Sequence, residues 1–372
     1  MPESGGEPDL GHLRFPVAAS LGRRYPEPSH PYRSEFQRDR DRVIHSRAFR
    51  RLENKTQVFT PSLSDHFRNR LTHTIEVAQI ARTVAAALGL DEDLTEALAL
   101  VHDIGHPPFA HAGEEELDRQ MWRFGERFDH NLHALRIVEE FEQRYARFPG
   151  LNLTYEVREG IVKHSAELAP GTLEEYRPEL KPPLEAQLID LADETAYNTA
   201  DLDDAYAAGL FTMADVAAAV PQYAEIREEI DFQFPGSPER VRFQEALRRL
   251  VDLLVSGLIE GTAAKAAGLG DYEAVRRAPQ RVGAYSPAAA ETSLALKAFL
   301  RSRVYFSDDL VEERGRAAVA IAELFGFYLK YPERLPPGHR EGEAPLYRVV
   351  CDYIAGMTDG YFQKTYAELI GR

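Results

Sequence analysis

Among 372 residues there is one cysteine, Cys351, so no internal disulfide can form, which fits a reducing cytoplasm. No apolar run approaches the roughly 18–20 residues needed to span a bilayer. The N-terminus, Met1-Pro2-Glu3-Ser4-Gly5-Gly6, lacks the basic-then-apolar pattern of a secretory signal. Secretion and membrane insertion are not expected, and a cytoplasmic location is. Positive charge is in deficit: 44 Lys plus Arg stand against 60 Asp plus Glu, a net −16 at pH 7. That field repels nucleic acid and anionic membranes, so neither is expected as the main partner. A polyanionic substrate has to be captured by a local cation cluster or a metal. Runs of alternating β-branched residues are scarce, and there is no internal repeat.

Helical periodicity is what the chain has in abundance, and it implies an all-α fold. Residues 1–31, with six prolines and four glycines from Pro2 to Pro31, read as a flexible N-terminal arm. Residues 32–210 read as a helical core and 211–372 as further helices, either continuous with that core or separate. A very basic helix is expected over 33–54. Another starts near Asp65, after a turn at Pro61 and Ser64, and runs to Leu88, with Phe67, Leu71, Ala78, Ala81 and Ala85 along one face. A helix from Glu92 to about Asp103 must end at Gly105 and Pro107-Pro108. Later helices are expected at 113–120, 131–146, 155–166, 184–208, 238–264, 288–302, 308–330 and 345–368.

The chemistry concentrates in His73, in the adjacent pair His102-Asp103, and in a later helical aspartate, Asp193. Imidazole nitrogens with carboxylate oxygens suit borderline-to-hard divalent ions: Mg or Mn first, with Fe, Co, Ni or Zn as further candidates. The His-Asp pair follows the apolar run Ala97-Leu98-Ala99-Leu100-Val101, and burying two ionisable groups is costly unless a cation compensates. One such histidine alone is more often a hydrogen-bonded core residue. The four together are better explained by a metal. The pair opens the loop HDIGHPPFAHAGE, residues 102–114, with three histidines and two acids held by a Gly-His-Pro-Pro turn.

This H…HD…D pattern resembles the HD superfamily of metal-dependent phosphohydrolases, and the long loop resembles its deoxynucleoside triphosphate triphosphohydrolase branch. Upstream, Phe49-Arg50-Arg51-Leu52, Lys55-Thr56-Gln57-Val58-Phe59 and Arg68-Asn69-Arg70-Leu71-Thr72-His73 are similar to that branch's N-terminal signature. Downstream, Ala192-Asp193-Glu194 with Tyr197 and Asp201, and Asp352-Tyr353-Ile354-Ala355-Gly356-Met357-Thr358-Asp359, are similar to its later motifs. The resemblance covers about residues 32–365 and departs from the pattern at Gly360. It implies an HD-domain helical bundle with additional C-terminal helices.

The resemblance also implies an activity. A divalent cation on His73, His102, Asp103 and Asp193 sits at the α-phosphate of a dNTP, and water releases deoxynucleoside and inorganic triphosphate. It makes His111 the catalytic histidine, oriented by Glu114, though an acid three residues into a helix is also an ordinary first-turn residue. Arg70, three before His73, can offer its fork to a phosphate or simply face solvent. Lys163 is either a triphosphate cation or a surface lysine. His106 and His130 can line the pocket, touch phosphate or serve as loop hydrogen bonders.

Tyr197 and Asp201 follow Asp193 at helical spacing. The resemblance gives Tyr197 the deoxyribose face and Asp201 the 3′-hydroxyl, with Gln57 joining. By spacing alone Tyr197 reads as core. The branch forms homo-oligomers, tetramers or hexamers, and some members need an activating dNTP at a second site. The alternatives are an HD phosphohydrolase of other specificity, such as a nucleotidase or cyclic-nucleotide phosphodiesterase, and a non-catalytic nucleotide sensor. The segment 352–359 reads as mainly architectural.

Overall fold

Apolar residues at spacings of three and four dictate helices, and helices are what the chain forms. The computed structural model describes residues 9–58, 67–165, 173–339 and 343–371. In chain order the α-helices are α1 (Glu35–Ile44), α2 (Arg47–Arg51), α3 (Arg70–Leu88), α4 (Glu92–Val101), α5 (Ala110–Trp122), α6 (His130–Arg136), α7 (Tyr155–Val162) and α8 (Leu184–Ala207). They continue as α9 (Met213–Ala219), α10 (Pro221–Gln233), α11 (Glu239–Ala266), α12 (Tyr272–Arg276), α13 (Pro287–Leu300), α14 (Asp308–Lys330), α15 (Leu346–Ala355) and α16 (Asp359–Leu369). Among the described residues there is no β-strand, only isolated bridges such as Thr56 with Asn69. No described helix is long and apolar enough to cross a membrane.

Local chemistry decides several boundaries. The basic helix expected over 33–54 breaks at Ser46, whose hydroxyl accepts the Phe49 N–H (3.0 Å) and starts α2. The helix expected over 345–368 breaks at Gly356, and Thr358 caps α16 by accepting the Tyr361 N–H (3.3 Å). The start expected near Asp65, with the turn at Pro61 and Ser64, lies outside the described residues. Helices α9, α10 and α12 were not anticipated from periodicity, being short or weakly patterned.

The described residues divide into two compact units, each assembled from separate stretches of chain. One gathers the segment up to Arg40 with Ile75–Ala99 and Thr154–Ser307. Its core includes Val84, Ala85 and Leu88 of α3, Leu184 and Leu188 of α8, Leu258 of α11 and Val275 of α12. Composition places residues 9–15 in a mobile arm, yet Leu10 and Leu13 join this core and Phe15 is also buried. The Leu10 N–H donates to Leu88 O (2.8 Å) and the Phe15 N–H to the Glu185 carboxylate (3.0 Å). Burying three large apolar groups outweighs the Gly/Pro bias toward disorder.

The second unit comprises Asp41–Thr74, Leu100–Leu153 and Asp308–Arg372. Leu117 and Met121 of α5 pack with Ile321, Leu324 and Phe325 of α14 and with Val350, Cys351 and Ile354 of α15. The chain beyond residue 210 is therefore shared out: α9 to α13 belong to the first unit, α14 to α16 to the second.

Candidate metal centre and catalytic loop

In the second unit α3 begins at Arg70, whose N–H donates to Lys55 O (3.1 Å). A three-residue spacing puts Arg70 and His73 on one face of the first turn. Both are buried, as are His102 and Asp103 just beyond α4. The chain turns there because Gly105 has no side chain: a Cβ would lie 2.0 Å from His130 O. One donor atom each from His73, His102 and Asp103 lies within 4.8 Å of the other two. Two imidazole nitrogens and a carboxylate oxygen, converging in a buried place, are a donor set that fits a divalent cation.

Around this trio the charge is arranged to keep Asp103 ionised. Burial alone would raise its pKa, but Arg70, whose guanidinium donates to Oδ2 at 2.8 Å, and then His106 and His102 hold it well below the usual carboxylate range. His106 Nδ1 lies 3.0 Å from Asp103 Oδ1. Burial, then the positive charge of Arg70, keeps the His106 imidazole far below its ordinary pKa and neutral.

The loop then makes an unusual entry into α5. Phe109 and Ala110 are both left-handed, with φ of 63° and 53°. Each costs a non-glycine residue about 1–2 kcal/mol. Gly113 permits the tight return, since a Cβ would sit 1.9 Å from Pro108 O. His111 emerges with its side chain largely exposed, its Nδ1 3.8 Å from Glu114 Oε2. Glu114 grips His130 more closely: His130 donates to its Oε1 from Nδ1 (2.7 Å) and from the backbone N–H (3.0 Å). Burial opposes ionisation of Glu114, but the nearby His111 imidazole and the hydrogen bonds from His130 hold its pKa far below the usual range. The His106 and His130 rings lie 3.9 Å apart, so Asp103, His106, His130, Glu114 and His111 form a continuous polar chain. Gln57 is half-buried, and its amide oxygen has no hydrogen-bond partner among the described residues.

In the first unit α8 carries Asp193, Tyr197 and Asp201 at successive turns. Asp193 Oδ2 lies 3.9 Å from His164 Nε2, and the Nδ1 of His164 is 2.6 Å from Asp190 Oδ1. Asp201 is buried and accepts the hydroxyl of Tyr305, whose ring stacks on Tyr197 with centroids 6.1 Å apart. Lys163 is interior: its ammonium donates to Glu159 Oε1 (2.8 Å), Arg177 O (2.9 Å) and Leu180 O (2.7 Å). Glu159 is in turn held by Arg276 at 2.6 and 2.8 Å. A phosphate reaching Lys163 would have to replace those partners.

The HD domain family matches residues 70–198, and the phosphohydrolase-associated domain family matches residues 283–368. A deoxyguanosinetriphosphate triphosphohydrolase-like protein of Azoarcus sp. (strain BH72) is 45% identical over 368 residues, 97% of this chain and 96% of that one. Those of Geobacter sulfurreducens and Caulobacter sp. (strain K31) are 45% and 44% identical, over 95% of this chain and 93% and 94% of theirs. The chain belongs to the deoxyguanosinetriphosphate triphosphohydrolase-like family.

Within each unit of this triphosphohydrolase-like family member, groups that sequence reasoning passed over contact the expected site residues or their neighbours. His164, next to Lys163 in the sequence, is one; its adjacency to a flagged residue was the available signal. Tyr305 is another, and nothing local could have tied it to Asp201, more than a hundred residues earlier. Lys55 and Asp359 stood inside quoted motifs, but their partners are set by packing.

Proposed function

We propose that this protein hydrolyses deoxynucleoside triphosphates to deoxynucleoside and inorganic triphosphate, by water attack at the α-phosphorus and cleavage of its bond to the 5′-oxygen. The observation that carries the reading is the buried donor trio of His73, His102 and Asp103 with Arg70 beside it, continued through His106 and His130 to Glu114 and His111. Relatives at 45% identity that are named deoxyguanosinetriphosphate triphosphohydrolase-like support the substrate class.

His73, His102 and Asp103, with Asp193 as the proposed fourth ligand, would hold a divalent cation, which when bound would supply charge for the phosphate oxygens and lower the pKa of an attacking water. Magnesium or manganese is the expected ion. Arg70 adds a fixed positive charge next to the same phosphate. His111 is exposed, and its imidazole moves the proton between water and the departing 5′-oxygen. Glu114, held ionised, orients His111 and His130. Tyr197 offers a face to the deoxyribose, and Asp201 and Gln57 accept from or donate to its 3′-hydroxyl. Lys163 contributes through the Glu159 pair or, by exchanging partners, at the triphosphate. A homo-oligomer, a second activating dNTP and a cytoplasmic location complete the reading.

The test is a product assay with each dNTP singly and all four together, with Mg or Mn, with GTP and ATP as controls, separated by ion exchange. Deoxynucleoside plus intact triphosphate is expected, and His102→Ala should lose bound metal and turnover together. Monophosphate plus pyrophosphate would point to another phosphohydrolase specificity; absence of turnover with every nucleotide would point to a sensor.

A further inference from the structure

The segment 352–359 reads as architecture in the sequence, but one of its carboxylates is spent elsewhere. Asp359 stands in the first turn of α16, where Thr358 already serves as the cap. Its two oxygens leave the helix. Oδ2 accepts the Thr56 N–H at 2.8 Å and Oδ1 accepts the Phe109 N–H at 3.1 Å. Thr56 precedes Gln57, and Phe109 lies two residues before His111. One carboxylate therefore bridges the backbones of two segments that carry expected site residues, all within the second unit.

Four further contacts reinforce the bridge. Phe109 sets its ring edge-on against Phe362, one turn along α16, with centroids 5.1 Å apart. The buried ammonium of Lys55 donates to His106 O and to Ala355 O (3.2 Å), a second tie between the same segments and the approach to α16. The Arg70 N–H on Lys55 O continues the frame to the start of α3. What the frame holds is a backbone that would otherwise relax, since Phe109 and Ala110 are both left-handed without being glycine.

We propose that Asp359 is a positioning residue for hydrolysis: its carboxylate clamps the Phe109 and Thr56 amides and so fixes the strained turn that aims His111. It touches neither substrate nor metal in this role, and it acts through His111. The inference rests on the function proposed above.

The experiment is Asp359→Asn, alone and combined with His111→Ala, assayed with Mn and a dNTP mixture. The asparagine keeps one acceptor oxygen and loses the other. The expected result is a kcat lowered ten- to a hundredfold, with KM and bound metal changed less than about threefold, and a loss below about threefold when His111 is already alanine. Equal losses in both backgrounds, or a rise in KM with kcat intact, would overturn the positioning role. If His111→Ala alone leaves the rate unchanged, it is the proton-transfer reading that fails.

Hydrogen–deuterium exchange supplies a readout independent of turnover. Peptides covering 104–112 and 53–58 should exchange at least tenfold faster in the variant while α14 stays protected, and unchanged exchange there would refute the clamp. Should Asp359→Asn not fold, Phe362→Leu removes the ring contact alone. It is expected to accelerate exchange over 104–112 with a several-fold fall in kcat, and no change in either would overturn the proposal.

Discussion

The Arg70 guanidinium and the Asp103 carboxylate meet at 2.8 Å where both side chains are almost wholly buried. Cutting one member of a buried pair strands the other charge, at a cost of about 3–5 kcal/mol. Arg70→Met should therefore lower the Tm of the metal-free protein by roughly 6–15 °C. Manganese should raise the variant's Tm more than that of the unaltered protein, because a cation on the trio replaces the missing positive charge. Equal shifts in a thermal titration of the two proteins would rule that out.

His111 carries the expected proton-transfer role while making only a long contact to Glu114. His111→Ala should keep bound metal and thermal stability, since its side chain is mostly exposed, and lose roughly 10²-fold or more in kcat. Steady-state kinetics together with metal analysis check both halves; an unchanged kcat would remove His111 from the chemistry.

Tyr305 holds Asp201 from one side and stacks on Tyr197 from another. Tyr305→Phe keeps the ring and drops the hydroxyl, so Asp201 loses a donor. KM for dNTP should rise about tenfold, the order of one hydrogen bond to a charged group. Tyr197→Ala should relax discrimination between deoxy- and ribonucleotides. Competition assays with dGTP against GTP would expose either failure.

Glu185 in the first unit is fully buried, with Oε1 accepting from Phe15 N–H and Asp91 N–H and Oε2 without a partner among the described residues. Burial pushes its carboxyl up to about 7, against an ordinary 4.5, though the two amides pull the other way. The folded state thus holds a proton that the unfolded chain releases. That contribution is complete below pH 4.5 and is lost as pH rises through 7. It is worth up to about 3 kcal/mol. Glu185→Gln should flatten this slope, raising the urea midpoint at pH 8.5 relative to the unaltered protein more than at pH 5.5. A variant with the same slope would acquit Glu185.

Periodicity alone carried the all-α class and most helix positions, because a 3.6-residue repeat needs no knowledge of what the apolar face meets. Spacing likewise marked Arg70 with His73, and covalent adjacency marked His102 with Asp103. The local turn chemistry of Gly105 and Pro107-Pro108 announced the loop that follows. These are short-range relationships, and a chain prints them in order.

Packing decided the rest. Whether Glu114 would serve His111 or His130 depended on bringing residues 114 and 130 together, and the nearer partner proved to be His130. Leu10, Leu13 and Phe15 sit in a Gly/Pro-rich segment whose local bias is toward disorder, and the apolar cluster from α3, α8, α11 and α12, with Phe36 and Tyr272 against Phe15, makes burying them favourable. Lys163 looked like a free cation until its carbonyl partners, Arg177 O and Leu180 O, came round from a later loop. Asp201 acquired Tyr305, and Asp359 acquired Thr56 and Phe109, across separations at which sequence spacing holds no geometric information. The sequence by itself determined which chemical groups were present and which lay on a shared helix face. The tertiary structure alone chose their partners, because a buried polar atom must be satisfied by whatever the fold places within about 3 Å of it.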